Sequence, residues 1–161
     1  MCCQGANPPL TNSRKVAIKT YLDEREASFR EFVVNEDYTH LATDGEEFCV
    51  LYCRKTGKCS VHPVKPETCK AGPITFDINL KTGKIEWFLK KSEICALAGI
   101  LYANPTQFKE HFEVAKAEIM RLVCELESVA LKAILRIPEP QTFKIGENEL
   151  PQNVLNKLGI A

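Results

Sequence analysis

Apolar and polar residues alternate along two neighbouring stretches. Ile74, Phe76, Ile78 and Leu80 share one parity, and Ile85, Trp87 and Leu89 repeat it after Lys81-Thr82-Gly83. Strand side chains point to opposite faces in turn, so the pattern predicts a hairpin with one buried face. A second hairpin is predicted from residues 48–52 and 58–62 around Lys55-Thr56-Gly57. Residues 29–34, with Phe29, Phe32, Val33 and Val34, and residues 38–42 read as shorter strands before the Asp44-Gly45 turn.

Elsewhere the period is helical. After Pro8-Pro9, Thr11 or Asn12 caps a helix over 13–27 whose apolar stripe is Val16, Ile18, Tyr21 and Leu22. Asn104, Pro105 and Gln107 form a helix-start signature, and Pro138 and Pro140 stop that helix near 137. Within it, Phe108, Phe112, Ala115, Ile119, Leu122, Leu126, Val129 and Ala133 form a heptad seam. The seam either packs on its own domain, which the additional apolar residues Met120, Leu131, Ile134 and Leu135 favour, or joins a homodimer through the 104–137 helix. A short helix is expected over 151–158. The fold class is α+β: small antiparallel hairpins and irregular Cys-rich loops packed with helices, including one long C-terminal helix. Residues 1–161 are expected to form a single domain, with a cysteine-bearing lobe at 1–103 and a helical lobe at 104–161.

Composition narrows the function. The 161 residues carry 21 Lys plus Arg against 21 Asp plus Glu, a formal net charge of zero. That argues against a duplex nucleic acid partner, which calls for a clustered positive field. Apolar residues make up 45% and charged residues 26%, a globular balance. No run of about 18 apolar residues exists, and no basic segment followed by an apolar stretch opens the chain, so no membrane span and a cytoplasmic location are expected. No Ser/His/Asp set, Gly-rich phosphate loop or dinucleotide fingerprint is present.

Eight cysteines remain: Cys2, Cys3, Cys49, Cys53, Cys59, Cys69, Cys95 and Cys124. In a reducing compartment such thiols are metal ligands or iron–sulfur ligands before they are disulfides, redox thiols or plain buried thiols. Soft thiolates suit zinc, iron–sulfur or Cu(I) and disfavour Mg and Ca. A tetrahedral zinc site, with Zn–S near 2.3 Å, needs sulfurs about 3.8 Å apart. On a regular strand Cys49 and Cys53 lie about 13 Å apart, at about 3.3 Å per residue, so both cannot bind one ion. Spacing alone pairs Cys53 with Cys59; it defines a thiol-rich site without fixing its members. His62, three residues after Cys59, is either a zinc ligand or a residue at the periphery. His40 and His111 read as surface residues, and Glu46-Glu47 as solvent-facing. Lys65, Lys70 and Arg54 either favour the thiolates or are simply solvated. Pro63, Pro66 and Pro73 break the loop around Cys69 or stiffen it. Cys124, two positions past Leu122 and off the seam, reads as an ordinary helix thiol.

Three blocks carry a resemblance: Cys49-Val-Leu-Tyr; Gly57-Lys58-Cys59-Ser60-Val61-His62; and Lys65-Pro66-Glu67-Thr68-Cys69-Lys70-Ala71-Gly72-Pro73. Over roughly residues 2–99 the chain resembles the YkgJ-type cysteine cluster family, a group of zinc- or iron-chelating domains. The resemblance implies metal ligands at Cys2 and Cys3, the closing pair of an N-terminal C-x2-C-x2-C-C motif whose first two cysteines have no counterpart here. It implies further ligands at Cys49, Cys59, Cys69 and Cys95, the last without the family's usual Pro-Gly. Cys53 and Cys124 match no family position. Choosing Cys49 over Cys53 requires a bent or interrupted strand. The function implied is a metal-binding protein holding zinc or an iron–sulfur centre. The alternatives are an iron–sulfur oxidoreductase or protein-modifying enzyme, and a metal-stabilised dimeric assembly protein.

Overall fold

The computed structural model describes residues 3–28, 32–34, 37–138 and 141–160. The chain divides into two compact units, residues 1–69 and 70–161. Among the described residues no helix is long and apolar enough to cross a membrane.

In the first unit, Thr11 is the N-cap of α1 (Asn12–Asp23), its hydroxyl accepting the Arg14 N–H at 3.1 Å. Ile18 and Leu22 are buried, four residues apart and so on one face. Val16 is 65% exposed, because two residues is about 200° around a helix and turns it away from Ile18. Strands β1 (Val33–Val34) and β2 (Thr39–His40) pair antiparallel. The earlier part of the strand expected over 29–34, Phe29 included, lies outside the described residues. β3 (Tyr52–Cys53) and β4 (Lys58–Cys59) form the second predicted hairpin, much shortened. Gly57 takes φ +68° in its turn, a conformation that favours glycine. A 3₁₀ turn (His62–Val64) leads to α2 (Glu67–Ala71). The core of this unit is Leu10, Ile18, Leu22, Leu41, Leu51 and Val61, with Cys49 and Cys59 packed against it.

In the second unit, β5 (Ile74–Asn79) and β6 (Lys84–Lys90) form the expected hairpin, with Ile78 opposite Ile85 and Phe76 opposite Trp87. Ile74, Ile78, Ile85, Trp87 and Leu89 are buried as the alternation required. Leu80 is not: it is 58% exposed, because the strand ends at Asn79 and Leu80 belongs to the turn. After α3 (Ala96–Tyr102), helix α4 (Pro105–Glu125) starts as predicted, with the Asn104 side chain accepting the Gln107 N–H at 3.2 Å.

The single long helix expected over 104–137 is corrected. Leu126 and Glu127 are extended, and α5 (Ser128–Ile134) starts afresh. The Lys157 ammonium donates to the carbonyls of Cys124 and Leu126, and the Ser128 hydroxyl donates to the Lys157 carbonyl at 2.6 Å. These contacts satisfy carbonyls that a continuing helix would have used. The continuous seam, and with it a homodimer along an unbroken 104–137 helix, loses its basis. Ala115, Ile119, Leu122 and Leu126 are buried inside the unit, while Val129 is 61% exposed.

A strand not foreseen, β7 (Thr142–Glu149), pairs along the free edge of β6 and gives the sheet order β5-β6-β7. Trp87 faces Gly146 while Phe88 faces Lys144, so Ile145 is the extra residue of a bulge. Beside the bulge, the Trp87 indole N–H donates to Asn148 Oδ1 at 2.8 Å and its ring meets Phe112 edge-on at 5.9 Å. Helix α6 (Gln152–Leu158) closes the unit, ending on Gly159 at φ +76°. The described residues are thus a mixed α+β chain with small antiparallel sheets and one long helix.

Candidate metal centre

Backbone pairing in the first unit sets Cys3 beside Cys49, while a short hairpin carries Cys59 and α2 carries Cys69. The segment after Cys3 runs beside residues 47–49: Gly5 N–H donates to the Glu47 carbonyl at 2.9 Å, and Cys49 N–H to the Cys3 carbonyl at 2.8 Å. On its other side Cys49 bridges Thr43. The strand is then interrupted. Val50 and Leu51 form a turn closed by Tyr52 N–H on the Cys49 carbonyl at 2.8 Å. Past that turn Tyr52 stands opposite Cys59. Cys49 and Cys59, on either side of the interruption, both pack against the core of the unit. Cys69 follows on α2.

Two of these thiols are held above their ordinary range. Burial pushes the Cys69 thiol up to about 12; Cys49, Cys3 and Cys59 add to the rise, and Lys65 acts against it. Burial also raises Cys49, the Leu51 N–H opposes this, and Cys3 and Cys59 reinforce it. Cys49 and Cys69 resist ionisation chiefly because they are buried, and neighbouring thiols would add like charge. A bound cation reverses that balance and favours the thiolates.

The other cysteines are Cys53 in the first unit, Cys95 and Cys124 in the second, and Cys2. Cys53 pairs with Lys58, one position along from the Tyr52–Cys59 pair. Adjacent strand positions face opposite sides, so Cys53 points away from Cys59, which corrects the pairing that spacing alone had suggested. Its thiol is lowered chiefly by the Thr56 hydroxyl, with help from the Thr56 and Lys55 backbone. Cys95 is the N-cap residue of α3 in the second unit, half-buried and making no side-chain cap bond. Cys124 is half-buried on α4. Cys2 lies outside the described residues. All seven described cysteines are free thiols.

Of the other candidates, His62 is exposed on the 3₁₀ turn. His40 is half-buried, its Nδ1 2.8 Å from the Leu41 carbonyl. His111, read as a surface residue, is instead half-buried, with Nε2 3.0 Å from the Ala71 carbonyl and 3.1 Å from that of Gly72. Arg54 pairs with Asp44 and Glu46, each at 2.6 Å, and Lys70 with Glu118 at 3.1 Å. Carboxylates hold both cations, whereas Lys65 acts on Cys69.

Sequence reasoning passed over Glu67, although it lies inside the Lys-Pro-Glu-Thr-Cys block. It is 0% exposed. Its Oε1 accepts the Thr11 hydroxyl at 2.9 Å and lies 3.2 Å from Arg14 Nε. Its Oε2 has no hydrogen-bond partner among the described residues. Nothing in the local sequence marks this carboxylate, because its partners are 56 and 53 residues away on α1 and its cap.

The donor set fits zinc or iron in its chemistry: free thiols, soft and half-buried, drawn from separated chain segments. Among the described residues no group of three or more His, Cys, Asp or Glu side chains is arranged to hold a metal ion.

A cluster of free thiols on a small α+β chain defines a class, the thiol-rich metal-chelating domains. This chain belongs to the CxxCxxCC family, whose model, described as "Putative zinc- or iron-chelating domain", matches residues 1–96. No curated protein and no solved structure matches the chain. A metal ion is the partner that the thiols and the family have in common.

Proposed function

We propose that this chain is a cysteine-cluster metal-binding protein in which Cys2, Cys3, Cys49, Cys59 and Cys69 supply thiolates to zinc or to an iron–sulfur centre. Cys95 is a sixth donor, and it and Cys2 stand on the resemblance alone. The observation that carries the reading is the zinc- or iron-chelating family match over residues 1–96, within which the Cys49 N–H is bonded to the Cys3 carbonyl. Clustering uncharged thiols offers no stability that ordinary apolar residues would not; a shared cation gives the cluster a purpose. Binding energy then becomes folding energy for the first unit. A reducing, cytoplasmic setting keeps such thiols available.

The test is metal analysis and absorbance of anaerobically purified protein, with Cys59→Ser and Cys124→Ser beside it. Stoichiometric zinc without colour, or iron with visible thiolate-to-iron absorbance, is expected for the parent and for C124S. C59S loses the metal. Full metal content in C59S, or none in the parent, overturns the reading.

A further inference from the structure

We propose that Glu67 is a positioning residue for the metal centre, holding Cys69 through a buried lock with Thr11 and Arg14; the inference rests on the metal-binding reading above. The lock joins two segments that carry thiols. Thr11 ends the segment that begins at Cys3, and Glu67 precedes Cys69 by two residues on α2. Thr11 Oγ1 accepts the Arg14 N–H at 3.1 Å and spends its single hydrogen on Glu67 Oε1 at 2.9 Å. Ser13 Oγ, 3.1 Å from the same hydroxyl, is therefore the donor in that contact. The Thr11 hydroxyl thus links the first turn of α1 directly to the Glu67 carboxylate.

Energetics point the same way. The side chains of Arg14 and Glu67 are 6% and 0% exposed, and Glu67 Oε2 meets no partner among the described residues. A buried ion pair that leaves an oxygen unsatisfied is a poor source of stability, and apolar residues of similar volume commonly do as well or better. What the pair does supply is a fixed position. A helix of five residues, Glu67–Ala71, cannot hold itself in place. With its first residue bonded to the cap and first turn of α1, the Cys69 side chain is presented from a constrained backbone.

Titration of the full chain with Co²⁺, a spectroscopic stand-in for a thiolate-bound metal, provides the test. Apo-protein circular dichroism and melting are measured alongside. Glu67→Gln keeps the shape and removes the charge. The expected result is Co²⁺ affinity about 10–100-fold weaker, with altered thiolate-to-cobalt bands, in a chain whose apo form remains folded. A purely architectural role would lower the apo melting temperature and leave the affinity and spectrum of the folded chain unchanged; that outcome overturns the inference while the metal-binding reading stands. No Co²⁺ or Zn²⁺ uptake by the parent overturns both. If E67Q does not fold, Thr11→Ser against Thr11→Val isolates the same bond, since only serine keeps the hydroxyl. Equal Co²⁺ affinity in those two variants refutes the lock.

Discussion

Replacing Lys157 with methionine deletes one ammonium and keeps most of its aliphatic stem. That ammonium reaches back 33 and 31 residues to the carbonyls of Cys124 and Leu126, where α4 ends. A hydrogen bond to a charged donor is worth about 1.5–3 kcal/mol net, and Lys157 is half-buried, so the lower end applies. Two such bonds give about 3 kcal/mol, or about 6–12 °C in melting temperature for a chain of this length. The readout is specific. The protein has one tryptophan, Trp87, 1% exposed in the second unit, so its fluorescence follows that unit alone. Ser128→Ala removes the reciprocal bond to the Lys157 carbonyl, and the double mutant should cost less than the sum of the two single changes, because the bonds share one residue. A K157M protein whose Trp87 transition falls within about 1 °C of the parent would refute the idea that this capping ends α4.

Further outcomes follow from the charges and thiols. Lys144 and Lys84 hold the Glu147 carboxylate down to about 2, below its ordinary value of 4.5. Its contribution to stability is therefore present above about pH 4.5 and lost as pH falls through about 2. The difference between parent and Glu147→Gln in urea midpoint should shrink over that window and with added salt. In chelator-treated protein, Cys53, lowered by the Thr56 hydroxyl, should be alkylated first at neutral pH, and Cys69, raised by burial to about 12, last. Peptide mass spectrometry gives the order, Thr56→Val should slow Cys53, and alkylation of Cys69 ahead of Cys53 would contradict the assigned environments.

Local chemistry was enough to predict several elements. The Asn104-Pro105 start of α4, the cap of α1, the β5–β6 hairpin and the short helix α6 depend on residues within a few positions of one another. So does the Val50–Leu51 interruption, which the family resemblance demanded and composition did not. In the site, the sequence showed that thiols are concentrated over 49–69, and the family motif distinguished Cys49 from Cys53.

Other features arise from residues far apart in the chain. β7 reads weakly because its Thr-Phe-Lys-Ile-Gly-Glu-Asn-Glu run carries a bulge at Ile145 that shifts the alternation, and the free edge of β6 supplies its pairing. The heptad pattern continues through Leu126, yet the helix ends there because Lys157 takes its carbonyls. Which face Cys53 occupies depended on register, and the complete burial of Glu67 depended on the start of α1 meeting it. Periodicity and capping are nearest-neighbour properties written into consecutive residues, whereas edge pairing, carbonyl capping from afar and the burial of a charge are set by which distant surfaces meet, and only the folded chain brings those together.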